Sequence, residues 1–185
     1  MTRRVSRREV LQAGSLAATA GVAGCSAVDS LFGPSPEEQV RNRESELERF
    51  ADVTTALGEG YQTTGAYVRG DDGALGVPFV NPEVQELDPE KPQAVLYNLT
   101  EEGQYEAVGL KWFVPTADRD SPPSLFGKTF SGPHPSEGTL IDEHYALHVW
   151  LFQENSEGLF ERYNAAVEVP DLVDQIAPVR ESLSE

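Results

Sequence analysis

The chain has 185 residues, of which 14 are basic and 31 acidic, so its formal net charge is −17 at neutral pH. So acidic a chain, without a basic patch, is unsuited to neutralising the phosphates of a nucleic acid, and that class of partner is excluded. Cys25 is the only cysteine, so the folded domain has no internal disulfide and depends on its hydrophobic core.

The first 24 residues have the layout of an export signal. Four arginines precede a mildly apolar stretch over residues 10–24. That stretch is too short and too polar to remain as a membrane span, which needs roughly 20 apolar residues. Arg7 and Arg8, followed by Val10 and Leu11, resemble the paired arginines of a twin-arginine (Tat) signal peptide.

Cys25 ends a second motif, because Val22-Ala23-Gly24-Cys25 resembles a lipobox. Two acyl chains on one cysteine form a sufficient membrane anchor, whereas one chain binds only marginally. We therefore predict a Tat-exported lipoprotein, anchored through Cys25 at the outer face of the cell membrane, with residues 25–35 as the lipidated start and tether. The alternative is an ordinary secretory signal cleaved near Ala23, which would leave Cys25 as a free thiol.

The charge becomes more extreme if the signal is removed. Cleavage before Cys25 takes away four arginines and Glu9, which changes the net charge from −17 to about −20. A chain this acidic and this poor in lysine resembles proteins of salt-loving archaea. Molar salt shortens the Debye length to about 3 Å and so weakens the repulsion between their acidic side chains. A cation-binding surface or a docking face for a basic partner are the alternative interpretations.

The segment after the tether predicts one amphipathic helix over residues 36–57. Ser35 suits the N-cap, Pro36 suits the first helical position, and Gly58 ends the helix. Its apolar stripe has helical spacing and comprises Val40, Leu47, Phe50, Val53 and Leu57. We expect this face to cover the domain core.

A two-residue period from Gly60 onward predicts strands. They are expected over residues 66–69, 77–80, 94–99, 105–114 and 145–153. A helix followed by hairpin-linked strands favours an α+β fold, with the N-terminal amphipathic helix packed on an antiparallel β-sheet. This single domain is predicted to span residues 36–168. Residues 169–185 are expected to form a short helical or disordered tail.

Residues 115–142 contain many Pro, Gly, Ser and Asp residues and show no periodic pattern. An irregular segment of this length is usually functional or loosely ordered. We therefore predict that it is the main contact region for a partner or ligand.

No metal site is predicted, and the three histidines are only weak candidates for one. His144 and His148 lie four residues apart on a predicted strand, so they share a face but are about 13 Å apart, too far for one ion. His134 in the long segment could approach one of them. Structural histidines are favoured, the alternative being a metal-binding or general-base role for His148. No cofactor is predicted.

Other motifs carry little chemistry. No Gly-x-Ser-x-Gly turn is present, which removes the usual exposed nucleophile of many hydrolases. Asp71-Asp72-Gly73 lacks the ligand pattern of a calcium loop. Asn98-Leu99-Thr100 is an N-glycosylation sequon, so Asn98 is a candidate modification site.

Blocks between residues 61 and 164 resemble an uncharacterised family of exported bacterial and archaeal proteins. They include Phe79-Val80-Asn81-Pro82, Val108-Gly109-Leu110-Lys111-Trp112-Phe113-Val114 and Tyr145-Ala146-Leu147-His148-Val149-Trp150. The resemblance implies an exported domain and no particular reaction. Members often carry His where this chain has Pro78.

The sequence therefore predicts a lipid-anchored, non-enzymatic binding domain at the cell surface, whose partner is an envelope component, another protein or a small ligand. One variant of this prediction is a subunit of a larger envelope complex. The alternative from a different class is a metal-assisted hydrolase or oxidoreductase that uses His148 with His134 or His144.

Overall fold

The computed structural model describes residues 33–171. Arg7, Arg8 and Cys25, and the predicted tail from residue 172, lie outside the described residues. Within residues 33–171, no helix has the length and apolar character needed to cross a membrane.

The segment predicted as one helix is broken, so that prediction was wrong. It forms three short helices, α1 (Pro36–Arg41), α2 (Glu44–Leu47) and α3 (Val53–Gly58), with a 3-10 turn at Glu48–Ala51. Asp52 causes the last break, because its extended backbone (φ −93°, ψ 114°) interrupts the helix. Its side chain accepts a hydrogen bond from Thr54 N at 2.8 Å and so caps α3.

The predicted start of this segment is confirmed. Ser35 Oγ accepts a hydrogen bond from Glu38 N at 3.2 Å, and the Glu38 carboxylate accepts one from Ser35 N at 3.3 Å. This reciprocal capping box satisfies two donors at the helix start. Of the apolar stripe, Val40 and Phe50 are buried with the sheet residues of the main core, whereas Leu57 is 52% exposed.

The main sheet is antiparallel, and the α+β class is therefore confirmed. In chain order, its strands are β1 (Gln62–Thr63), β2 (Val68–Gly70), β3 (Gly73–Val80), β4 (Ala94–Leu99), β5 (Tyr105–Pro115), β8 (Ser131–His134) and β9 (His144–Val149). Their spatial order is β1-β3-β4-β5-β9-β8, and β2 also pairs with β3. Strand β4 has the predicted bounds, and β5 extends one residue beyond them.

The last long strand ends earlier than predicted. β9 stops at Val149 because Trp150 N turns away and donates to the Leu159 carbonyl at 3.0 Å. The apolar run that continues to Phe152 therefore packs against the core without extending the strand.

The long segment after β5 is more ordered than predicted. It contains the small hairpin β6 (Ser124–Leu125) and β7 (Lys128–Thr129), followed by β8 at the edge of the main sheet. Strands of two to four residues are too short to show a period in the sequence, which is why the prediction missed them.

The two faces of β5 and β9 have different chemistry. One face carries Leu110, Trp112 and Leu147 into the main hydrophobic core. The other face carries Lys111 and, on β9, His148 directly opposite it. Successive side chains of a strand point to opposite faces of the sheet. The candidate site lies on this second face.

Candidate functional site

Five polar side chains are buried together on the second face of the sheet. We call them the polar cluster: Lys111 (0% exposed), His134 (7%), Glu137 (2%), His144 (0%) and His148 (1%). Such groups are rarely buried without partners. Their interactions therefore determine what this face can do.

The strand register brings the histidines together. His144 and His148 lie on the same face of β9, as predicted, and β8 pairs with β9 so that His134 lies opposite His144. The His134 ring centroid is 5.7 Å from that of His144 and 6.2 Å from that of His148. His134 thus approaches both of the other histidines, where the sequence predicted contact with one.

A buried ion pair lies at the centre of the polar cluster. Lys111 Nζ is 2.5 Å from Glu137 Oε2, and the two side chains are 0% and 1% exposed. Glu137 N also donates to the Ile141 carbonyl at 2.9 Å and closes a short turn. The ion pair therefore holds the segment around Glu137 on the sheet.

The histidines are neutral at physiological pH. Burial, reinforced by the charges of Arg162 and Lys111, lowers the pKa of His134 to about 3. Burial and then the Lys111 charge lower the pKa of His144 to about 2. The same two causes hold the pKa of His148 well below its usual value.

Hydrogen bonds fix two of the ring tautomers. His144 Nδ1 lies 2.7 Å from the Asp142 carbonyl, so Nδ1 carries the hydrogen and Nε2 presents a lone pair. Ser131 Oγ donates its hydrogen to the Ala146 carbonyl at 3.2 Å. His134 Nε2 is 2.9 Å from the same Oγ, so Nε2 is the donor in that bond.

Sequence reasoning missed Lys111 and Glu137 as members of the site. Lys111 gave a usable signal, because it is the one charged residue in an apolar run from Val108 to Val114. A lysine in a strand covered on both faces requires a buried partner. Glu137 gave no such signal among 31 acidic residues.

The polar cluster does not form a preset metal centre. In the range 33–171, no group of three or more His, Cys, Asp or Glu side chains is arranged to hold a metal ion. The ammonium of Lys111 also lies beside Glu137, the one carboxylate of the cluster, and its positive charge would repel a metal cation there.

An open cleft lies next to the polar cluster, and we call it the Phe113 cleft. Its volume is about 360 Å³, and it is lined by Val80, Asn81, Pro82, Val84, Gln85, Gln93, Phe113, Pro115, Asp118 and Leu140. The Phe113 ring contacts the His144 ring at 5.5 Å between centroids, and Lys111 Nζ is 5.9 Å from the Phe113 centroid. The polar cluster therefore supports one wall of the cleft.

Two of the polar residues of the cleft are engaged by the protein itself. Asn81 Nδ2 donates to the Glu59 carbonyl at 2.9 Å, and Gln93 Nε2 donates to the Glu86 carbonyl at 2.8 Å. Asp118 is the single carboxylate in the lining. A ligand would therefore meet apolar surface, the exposed amide of Gln85 and one negative charge.

Asn98, the candidate glycosylation site, lies on β4 and is only partly exposed. Its Oδ1 accepts from the Tyr67 hydroxyl at 2.7 Å, and its Nδ2 donates to the Glu168 carbonyl at 3.0 Å. Glycosylation modifies Nδ2 and would compete with the second bond. The modification stays a prediction.

Comparison with known protein families, curated proteins and solved structures gives no match. The resemblance to an exported family and the salt-loving origin therefore remain predictions from the sequence.

The buried ion pair is testable by a double-mutant cycle. We expect Lys111→Met or Glu137→Leu alone to lower the free energy of unfolding by about 3–5 kcal/mol, because each leaves an uncompensated buried charge. The double variant should lose much less than the sum of the two. Denaturant unfolding in molar salt measures the free energy of unfolding of the wild type, the two single variants and the double variant.

Arg43→Met supplies the control for this cycle. Arg43 and Glu90 form an ion pair at 3.4 Å whose side chains are both 44% exposed, so its loss should cost less than about 1 kcal/mol. Additive losses at Lys111 and Glu137 would contradict the assignment of a coupled buried pair.

Because of the three histidines, we expect acid to destabilise the fold already at a pH above the range in which carboxylates titrate. In the unfolded chain they bind protons below about pH 6.5, whereas the folded protein keeps them neutral down to a lower pH. The free energy of unfolding should therefore fall as pH decreases from about 6.5 to 5, approaching about 1.4 kcal/mol per pH unit for each histidine. Denaturant unfolding between pH 7.5 and 5 measures this slope.

His134→Gln tests the assignment, because it removes one of the three titrating groups. For this variant, the slope of the free energy of unfolding against pH should be about one third smaller over the same range. An unchanged slope would mean that His134 does not titrate as described.

Proposed function

We propose that this protein is an extracytoplasmic, lipid-anchored binding domain that holds a small ligand in the Phe113 cleft. The observation that carries the proposal is the position of the cleft against the polar cluster, through the contacts of the Phe113 ring with His144 and Lys111. The volume of the cleft is about 360 Å³, and six of its ten lining residues are apolar. Ligand pockets typically occupy about 300–1,000 Å³ and are lined by apolar side chains with a few polar groups.

The chemistry of the lining favours one class of ligand. Val80, Phe113 and Leu140 offer apolar contact, and Asp118 offers a single negative charge. At low salt, the net charge of about −20 that remains after removal of the signal disfavours anionic ligands. The preferred ligand has an apolar body and a neutral or cationic polar group.

Binding is better supported than catalysis. None of the three histidines is among the residues that line the cleft. Asn81 and Gln93, which do line it, use their amide hydrogens on backbone carbonyls. The metal-assisted hydrolase or oxidoreductase that uses His148 with His134 or His144 is less favoured, because these rings are buried beside the Lys111 ammonium.

The cleft also agrees with the contact region expected from the sequence. Pro115, Asp118 and Leu140 belong to or border the segment over residues 115–142, and they form part of its lining. Leu140 lies within the turn that Glu137 closes with Ile141. The buried ion pair thus positions part of the proposed binding surface.

The lipid anchor predicts the location of the protein. Cys25→Ser should release the mature chain from the membrane, because the thioether bond cannot form. Fractionation of the native host in molar salt, with mass spectrometry of the N-terminal peptide, measures the change. Ser26→Ala is the control and should stay in the membrane fraction. An unmodified Cys25 thiol in the native membrane-bound protein would contradict the proposal.

The cleft predicts a preference among ligands of equal size. In NMR titrations at the lowest salt that keeps the protein folded, butylammonium should shift resonances of Phe113 and Leu140 at lower concentration than butanol does, and butyrate should bind weakest. Leu140→Ser should reduce the affinity about fivefold through loss of apolar contact. Asp118→Asn should remove the preference for the cation over the alcohol.

Leu57→Ser is the matched control, because Leu57 is 52% exposed and does not line the cleft. It should leave the titrations unchanged. An equal loss of ligand affinity in Leu57→Ser and Leu140→Ser would contradict a site at Phe113. Resonance shifts confined to residues outside the cleft would contradict it as well.

A further inference from the structure

Two hydrogen-bond acceptors face each other inside the polar cluster. Glu137 Oε1 and His144 Nε2 lie 3.7 Å apart. Both atoms are buried, and neither has a hydrogen-bond partner among the described residues. Buried polar atoms in proteins are nearly always bonded to protein or to ordered water, so this pair points to a bound group.

Both atoms present lone pairs to the space between them. His144 donates its Nδ1 hydrogen to the Asp142 carbonyl at 2.7 Å, which leaves Nε2 of the neutral ring as an acceptor. Glu137 is ionised against Lys111 through its other oxygen, so Oε1 also only accepts. A group that joins them must offer positive charge or two hydrogens.

A shared proton fits poorly. A proton on Glu137 would leave the buried Lys111 ammonium without a balancing charge, and a proton on His144 would place two buried cations beside one carboxylate. The separation of 3.7 Å is also longer than a direct hydrogen bond.

A metal ion fits poorly as well. Zinc takes four ligands in its structural sites and three protein ligands in most catalytic ones. The part of the chain that the structure describes has no group of three such side chains in a metal-binding arrangement.

We propose that one internal water molecule binds between Glu137 and His144 and donates one hydrogen to each. Water has two hydrogens to donate, and from a position beside the line joining the two atoms it can lie about 2.8 Å from both. It would join the segment at Glu137 to β9 in addition to the Lys111 ion pair. This inference is independent of the proposed ligand in the Phe113 cleft.

A crystal structure at high resolution tests the inference with three proteins. The wild type should show one density peak about 2.8 Å from Glu137 Oε1 and from His144 Nε2. In Glu137→Gln the peak should be lost, because the amide nitrogen donates directly to His144 while its oxygen still accepts from Lys111. Glu143→Gln neutralises a nearby exposed carboxylate and should keep the peak.

Two crystallographic results would overturn the proposal. A peak with anomalous scattering and contacts near about 2.1 Å would identify a metal ion. Absence of a peak in the wild type, with the two atoms within about 2.7 Å, would identify a shared proton.

A solution measurement on the wild type decides the question even if Glu137→Gln does not fold. Water–protein NOEs to the His144 ring hydrogens should have the sign of a long-lived internal water. Their absence, with the rest of the fold intact, would also overturn the proposal.

Discussion

Water does not reach the ammonium of Lys111, so its charge must be balanced inside the protein, and Glu137 does this at 2.5 Å. The two residues lie 26 positions apart in the chain. Because a buried charge without its partner costs several kcal/mol, the segment that carries Glu137 has little freedom to leave the sheet. That segment also carries His134 and the turn that ends at Ile141. The need to balance one buried charge therefore positions the segment that packs on the second face of the sheet.

Burial, and then the same ammonium among other charges, keeps the histidines neutral. Burial already disfavours their charged forms, and Lys111 lowers the pKa of all three further. The polar cluster therefore holds one cation, one carboxylate and neutral rings that act as hydrogen-bonding groups. This composition favours a structural role for the cluster, distinct from the ligand site proposed in the Phe113 cleft beside it.

The parts of the fold predictable from sequence are those that depend on local pattern. β4 and β5 have apolar periodicity, and Ser35 caps the first helix as its neighbours predict. The break at Asp52 and the end of β9 were not predictable, because an alternative hydrogen bond decides each of them. At the site, the shared face of His144 and His148 followed from the strand period. The contact of both rings with His134, and of His144 with Glu137, depends on how a segment of short strands folds back, which has no periodic signal.

The acidic composition gives the buried pair a further significance. The chain has only three lysines, and one of them, Lys111, is fully buried. Molar salt weakens exposed pairs such as Arg43–Glu90, whereas a buried pair is screened much less. In the concentrated salt that the composition predicts, the Lys111–Glu137 contact would therefore keep its strength while surface ion pairs lose theirs. A buried lysine is thus compatible with a surface nearly free of lysine, because salt weakens surface ion pairs and has much less effect on the buried one.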